Sequence, residues 1–316
     1  MKTESLVMVK KGQVEITEVK VPKMGANDIL VEVKANGICK GDVSLFTGVL
    51  DHGYPLYHGH EPAGIVADKG SKVKDFEVGD AVALLASPSF RKHIVAGASR
   101  AVKIPEKAVN AKDLALWVSE PVACAVNGVL GSNLKPGDKV ALIGCGYMGL
   151  LLLQAMPREI LKKLVVADPD PMRRRLAKAL GAPQVVDPCK VDLKELAEEV
   201  GKFDVVIEAS GAKGTLATAT DMVRRGGILN IFGWHHGEEL VPTTKWHLLG
   251  LRVLNTAPGF AEDFNVPFKG AIALMASGRI NQASLITHRH SYLDAQEAFE
   301  IASSRANGYI KGVITF

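Results

Sequence analysis

The sequence predicts an α/β chain of two domains, a small β-barrel followed by a doubly wound parallel sheet. Three observations carry that expectation. Roughly the first hundred residues hold short strands at a spacing that suggests a barrel. From Gly137 onward, continuous apolar strands alternate with amphipathic helices, the pattern of a parallel sheet covered on both faces. And 316 residues suggest two domains more readily than one.

The elements follow in order. "LVMVKKGQVEITEVK" reads as a hairpin about Lys11-Gly12, and "DILVEVKANGIC" as an alternating strand. "AGIVADKGSKV", "GDAVALLA" and "HIVAGASRAVKIPE" complete the barrel, with turns at Gly70 and Gly79-Asp80. "SEPVACAVNGVLGSN" is helical, with Ser119 as a plausible N-cap, Glu120 in the first turn and Pro121 near the start. "DKVALIG", "KLVVAD", "QVVD", "FDVVIEAS", "GILNIFG" and "LRVLNTA" are the sheet strands. "FKGAIALMASGRI" is a helix, and the tail from Ser284 returns to strand, helix, strand, which places it back on the first domain.

Composition sets limits. Apolar residues at 47% and charged residues at 23% describe an ordinary globular protein. A net charge of +4, spread without an extended basic stripe, argues against nucleic-acid binding. Cys39, Cys124, Cys145 and Cys189 form no CxxC pair, which favours a reducing, cytoplasmic compartment. The N-terminus lacks the apolar core of a signal peptide. "VALIGCGYMGLLLLQAM" is apolar enough to raise a membrane question. Its glycines and the following Pro157 favour a buried strand running into a buried helix.

"ALIGCGYMG" ends a strand and opens a helix with Gly144, Gly146 and Gly149 in GxGxxG spacing. Gly144 permits the tight turn, Gly146 lets backbone approach a pyrophosphate, and Gly149 lets helix and strand pack closely. The helix N-terminus offers free N–H groups to the phosphates. Tyr147 and Met148 lie within the same candidate loop. The next strand ends in Asp168, where an acid can hold ribose hydroxyls, although it can equally cap the next helix. Asp168 favours NAD over NADP, since a carboxylate there repels a 2′-phosphate. Arg173 and Arg174 cut the other way.

A thiol at Cys39, the His60-Glu61 pair and Glu120 make a set that zinc favours. Taken singly, each has an ordinary reading: a small buried hydrophobe, a surface loop, a first-turn carboxylate.

Together with "GICKGDV", "GHEPAGIV", "VGDAV", "SEPVACAV", "DVVIEASG" and "ITHRHSYLDAQEAFE", these segments resemble the zinc-dependent medium-chain alcohol and polyol dehydrogenases, in order over nearly the whole chain. The resemblance implies a GroES-like domain, residues 1–121 and 282–316, and a Rossmann domain, residues 122–281, with the active site between them. It implies Cys39, His60 and Glu120 as zinc ligands, Glu61 at or near the metal, and Asp42 as the acid that orients the zinc-binding histidine. Two departures stand out. The family's four-cysteine lobe for a structural zinc is missing, since "ALLASPSFRKHIV" runs straight through, so a single zinc is expected. Gly41 stands where the family carries a relay serine or threonine, leaving Ser44, Lys40, Glu61 with water or the cofactor ribose as substitutes. Lys40 could instead hold the pyrophosphate.

The implied reaction is hydride transfer between NAD(H) and a secondary alcohol or ketone, with a polyol, sugar derivative or vicinal diol as the expected substrate. The implied assembly is a homodimer or homotetramer joined through the Rossmann sheets. Trp117, Trp234, Phe46 and His58 are candidates to line the cleft. Two other readings remain: a zinc-free NADPH-dependent enoyl or quinone reductase of the same wider fold, and a catalytically silent NAD(H) sensor.

Overall fold

A computed structural model describes residues 1–108, 111–256, 261–306 and 308–316. The chain forms two compact units. The first is Met1–Val122 with Phe268–Phe316, and the second is Ala123–Pro267.

The first unit opens with the antiparallel hairpin β1 (Lys2–Lys10) and β2 (Gln13–Lys20), turning at Gly12 with φ +74°. Then come β3 (Asp28–Gly37), helix α1 (Lys40–Phe46), β4 (Pro62–Lys69), β5 (Ala81–Leu84), β6 (His93–Gly97) and β7 (Ala101–Lys103). In β3, Ile29, Val31, Val33 and Ala35 are buried while their neighbours are mostly partly exposed, the period-two signature of a strand covered on one face. These side chains meet Val66, Val82, Leu84 and Ile94 in the barrel core.

Helix α2 (Glu120–Gly131) leads into the second unit. There β8 (Lys139–Ile143), α3 (Tyr147–Ala155), β9 (Lys163–Ala167), α4 (Pro171–Ala179), β10 (Gln184–Val186), α5 (Leu193–Val200), β11 (Phe203–Glu208), α6 (Thr215–Met222), β12 (Val223–Ile231), α7 (Thr243–Leu249) and β13 (Arg252–Asn255) alternate. The strands form one parallel sheet in the order β10-β9-β8-β11-β12-β13. Consecutive residues of β8 and all of Leu150–Leu153 in α3 are buried, as a doubly covered sheet requires. The apolar 140–156 segment is thus a core strand and core helix. The stretch Leu114–Gly131 also passes a membrane test by length and composition, yet 78% of it is buried in the fold.

The chain then returns through α8 (Asn265–Ala276), β14 (Ile286–Ser291), α9 (Ala295–Ser304) and β15 (Lys311–Thr315). The expected boundary after residue 281 moves earlier, into α8 at Phe268. The cause lies in that helix: Phe268, Ala271 and Met275 are buried, and the Ser119 hydroxyl donates to Met275 Sδ at 3.5 Å within the first unit. The sheet of the first unit runs β14-β15-β3-β4-β5-β7, with β6 also on β3. The last strand is therefore enclosed between β14 and β3.

Candidate active site

The antiparallel register of β3 and β4 pairs Asn36 with Pro62. The end of one strand therefore lies beside the start of the other. That is why Cys39, just past β3, and His60-Glu61, just before β4, share a place in space. Cys39 is the N-cap of α1: its Sγ accepts from Gly41 N at 3.4 Å, and Asp42 Oδ2 accepts from Cys39 N at 2.7 Å, closing a capping box. Gly59, at φ +91°, brings the chain against Phe90, whose backbone N would lie 2.7 Å from a Cβ there.

Among the described residues, Cys39, His60 and Glu61 each offer a donor atom within 4.8 Å of the other two. Sulfur, nitrogen and carboxylate oxygen are a donor set that fits zinc. The electrostatics agree. Burial opposes charge on the His60 ring, but its bond to Cys39 and the nearby Asp42 and Glu61 carboxylates outweigh burial and raise it to about 10. The surroundings of His60 thus favour positive charge on its ring.

Glu61 is 1% exposed, and its oxygens stand 2.6 and 2.9 Å from Nζ of Lys311, itself 3% exposed. Val313 of β15 pairs with Gly37 of β3, which delivers the lysine. Gly37 is obligatory here, since a Cβ would lie 1.8 Å from Glu61 Oε2. Asn36 Oδ1 accepts from Glu61 N at 3.2 Å and Asn36 Nδ2 donates to Ser89 Oγ at 2.7 Å, completing the cradle. Lys311 and Asn36 were not legible as site residues, although a single lysine inside the apolar run "YIKGVITF" is a signal that a buried acid waits for it.

Several expectations change. Glu120, expected as a zinc ligand, stands half-buried in the first turn of α2 and is not one of the three converging residues. Glu61 is the carboxylate in that group, since it adjoins His60 in the chain. Asp42, expected to orient His60, has its Oδ1 on Nδ1 of His58 and lies 3.9 Å from His60 Nδ1, too far for a hydrogen bond. His58, Asp42 and His60 form a second acid–imidazole group. Of the relay candidates, Ser44 is buried and Lys40 exposed. Trp117 and Phe46 are core residues, the latter 5.4 Å from the Phe299 ring, whereas Trp234 is exposed and packs on His236.

In the second unit the glycine motif has its expected local form. Gly144 has φ +102°, and a Cβ on it would meet Ser210 N at 2.8 Å. A Cβ on Gly149 would stand 2.0 Å from Gly144 O, while Gly146, N-cap of α3, faces open space. Tyr147 is buried and Met148 partly exposed. Asp168 Oδ2 accepts from Cys145 N at 2.6 Å and its Oδ1 from Asp170 N at 2.8 Å, so one carboxylate joins the phosphate loop to the start of α4. The helix cap is Asp170, not Asp168. Cys145 is buried and pushed up to about 12, by burial first and Asp168 second, so it is an inert filler. Arg174 is committed to the carbonyls of Asp168 and Pro169 and to Asp187 at 3.0 Å; Arg173 lies 3.9 Å from Asp170.

Comparison with known proteins gives the following. Residues 25–106 match the alcohol dehydrogenase GroES-like domain, and residues 134–276 match the zinc-binding dehydrogenase model. D-arabinitol dehydrogenase 1 of Uromyces fabae is 27% identical, over 95% of this chain and 94% of its own. L-idonate 5-dehydrogenase of Vitis vinifera is 28% identical, over 92% and 88%. The crystal structure of a putative zinc-binding dehydrogenase from Sinorhizobium meliloti 1021 bound to NADP superposes with a TM-score of 0.87 at 27% identity, over 100% of both chains.

Proposed function

Because this chain belongs to the zinc-dependent medium-chain dehydrogenases, we propose that it transfers hydride between NAD(H) and a secondary alcohol, and that it holds one zinc ion per chain. The substrate class we assign is a polyol, sugar derivative or vicinal diol. The observation that carries the reading is the convergence of thiol, imidazole and carboxylate in Cys39, His60 and Glu61. Relatives named for arabinitol and idonate, both polyhydroxylated, support the substrate class.

Cys39, His60 and Glu61 are the side chains that would hold the ion, with Glu120 as the alternative carboxylate. Zinc bound there supplies Lewis-acid charge that eases loss of a hydroxyl proton, and NAD accepts the hydride. The chain's residues do the positioning. The α1 cap fixes the Cys39 thiol through Asp42. Lys311 neutralises Glu61 and so sets how much negative charge is free for the ion. The choice between the two carboxylates is a measurable one. Glu61→Gln is expected to lower zinc content in the purified protein and Glu120→Gln to leave it; the reverse result would assign Glu120 as the ligand.

NAD is favoured over NADP because Asp168 keeps a carboxylate at the end of β9, where a 2′-phosphate would meet like charge. Comparing KM for the two cofactors tests this, and a clear NADP preference would overturn it. Metal analysis and a panel of polyols with NAD, followed at the NADH absorbance, test the whole reading. One zinc per chain and NADH formation are expected, both lost in Cys39→Ser. Full turnover by metal-free Cys39→Ser would end the proposal.

A further inference from the structure

Beyond the metal group and the glycine loop, the second unit holds a buried acid–imidazole–acid array. Glu208 ends β11 and is 0% exposed. Its Oε1 accepts from Ser210 N at 2.9 Å, Gly211 N at 3.2 Å and Thr215 Oγ1 at 3.1 Å, and from the Ser210 hydroxyl. Its Oε2 meets Nε2 of His235 at 2.7 Å. The other nitrogen of that ring, Nδ1, meets Glu239 Oε2 at 2.9 Å, and Glu239 Oε1 accepts from Gly214 N at 2.6 Å. A side chain only 12% exposed thus ties the loop after β11 to the loop after β12. Gly233 leaves room for the array, since a Cβ there would stand 2.6 Å from Glu208 Oε2.

Both acceptors are carboxylates. Each ring nitrogen meets one of them. Hydrogen bonds to a carboxylate are the strong kind, and removing the ring leaves a buried acceptor without its partner.

The location gives the array a purpose. Doubly wound sheets bind ligands beyond the C-terminal ends of their strands, where the strand order reverses. Here that point lies between β8 and β11. Glu208 holds Ser210 N, and Ser210 N packs directly on Gly144, the first glycine of the phosphate loop. Contact therefore runs from His235 through Glu208 and Ser210 to the dinucleotide loop.

We infer that His235 is a positioning residue for the dinucleotide: bonded through one ring nitrogen to Glu208 and through the other to Glu239, it latches the loops after β11 and β12 and so braces the wall behind the phosphate loop. This rests on the dinucleotide site proposed above. The charged groups facing the ring are Glu208 from β11 and Glu239 from its own loop. His236 and Glu238 beside it and Lys213 on the opposing loop are exposed.

The test is NADH binding to the purified full chain by fluorescence titration at pH 7.5, for wild type, His235→Ala and Glu239→Gln. Kd is expected to rise roughly tenfold in His235→Ala, the scale of one hydrogen bond to a carboxylate, with its circular dichroism and zinc content unchanged. Hydrogen exchange of residues 208–215 without nucleotide is a second readout: exchange faster in His235→Ala than in wild type supports the latch. Equal Kd and equal exchange in the two proteins would overturn it. Weakened NADH binding in His235→Ala with no alcohol oxidation by wild type would remove the assigned reaction and leave the latch standing. No NADH binding by wild type would remove both.

Discussion

The pair Glu61–Lys311 shows how much one side chain can decide. Removing the cation strands a buried carboxylate, so Lys311→Met is expected to cost about 3–5 kcal/mol of stability by urea unfolding, and Lys311→Met with Glu61→Gln to recover most of it. His60 gives a pH signature. Its folded value of about 10 lies above the ordinary 6.5, so in the metal-free chain its contribution is full below 6.5 and is lost as pH rises through about 10. An ion must displace that proton. Zinc added to metal-free protein at pH 7.5 is expected to release at least one proton per ion, and zinc affinity to rise with pH; uptake without proton release would contradict the assigned ligand. Cys39 and His60 were legible because short local motifs carry them. Lys311 was not, because its role depends on β15 lying beside β3, a register no local pattern encodes. Asp42 was legible as an acid near the site, but its partner was not, because the choice between His58 and His60 is made by the fold of the segment before β4.

At the scale of elements, the sheet of the second unit could be read strand by strand, since doubly buried strands are apolar throughout. Helix α1 could not. Its seven residues are too short to show a helical period, and it stands on its cap. Asp42→Ala removes the capping oxygen and is expected to destabilise the protein by about 1–2 kcal/mol, seen as a lower Tm, and to reduce zinc content. The turn between β8 and α3 makes the complementary prediction. In Gly149→Ala the new methyl would collide with Gly144 O, so NADH binding is expected to fall at least tenfold while bound zinc stays at the wild-type level. Loss of zinc in that variant would mean that the disturbance is global.

At the scale of the molecule, two units are built from three stretches of sequence, because the tail returns to the first sheet. The return was readable from the strand–helix–strand pattern of the tail. The crossing point inside α8 was not, since an unbroken helix gives no composition change to mark it. Deleting 311–316 takes out β15 and Lys311 together, and the shortened chain is expected to lose zinc and the cooperative melt of the first unit.

The enclosed position of β15 also orders events during synthesis. The second unit is one continuous stretch and can fold as soon as it has left the ribosome. In the first unit, one edge of β3 waits for β15, which is translated after all of the second unit and brings β14 in beside it. The cluster of Cys39, His60 and Glu61 therefore lacks its lysine counter-ion until β15 arrives.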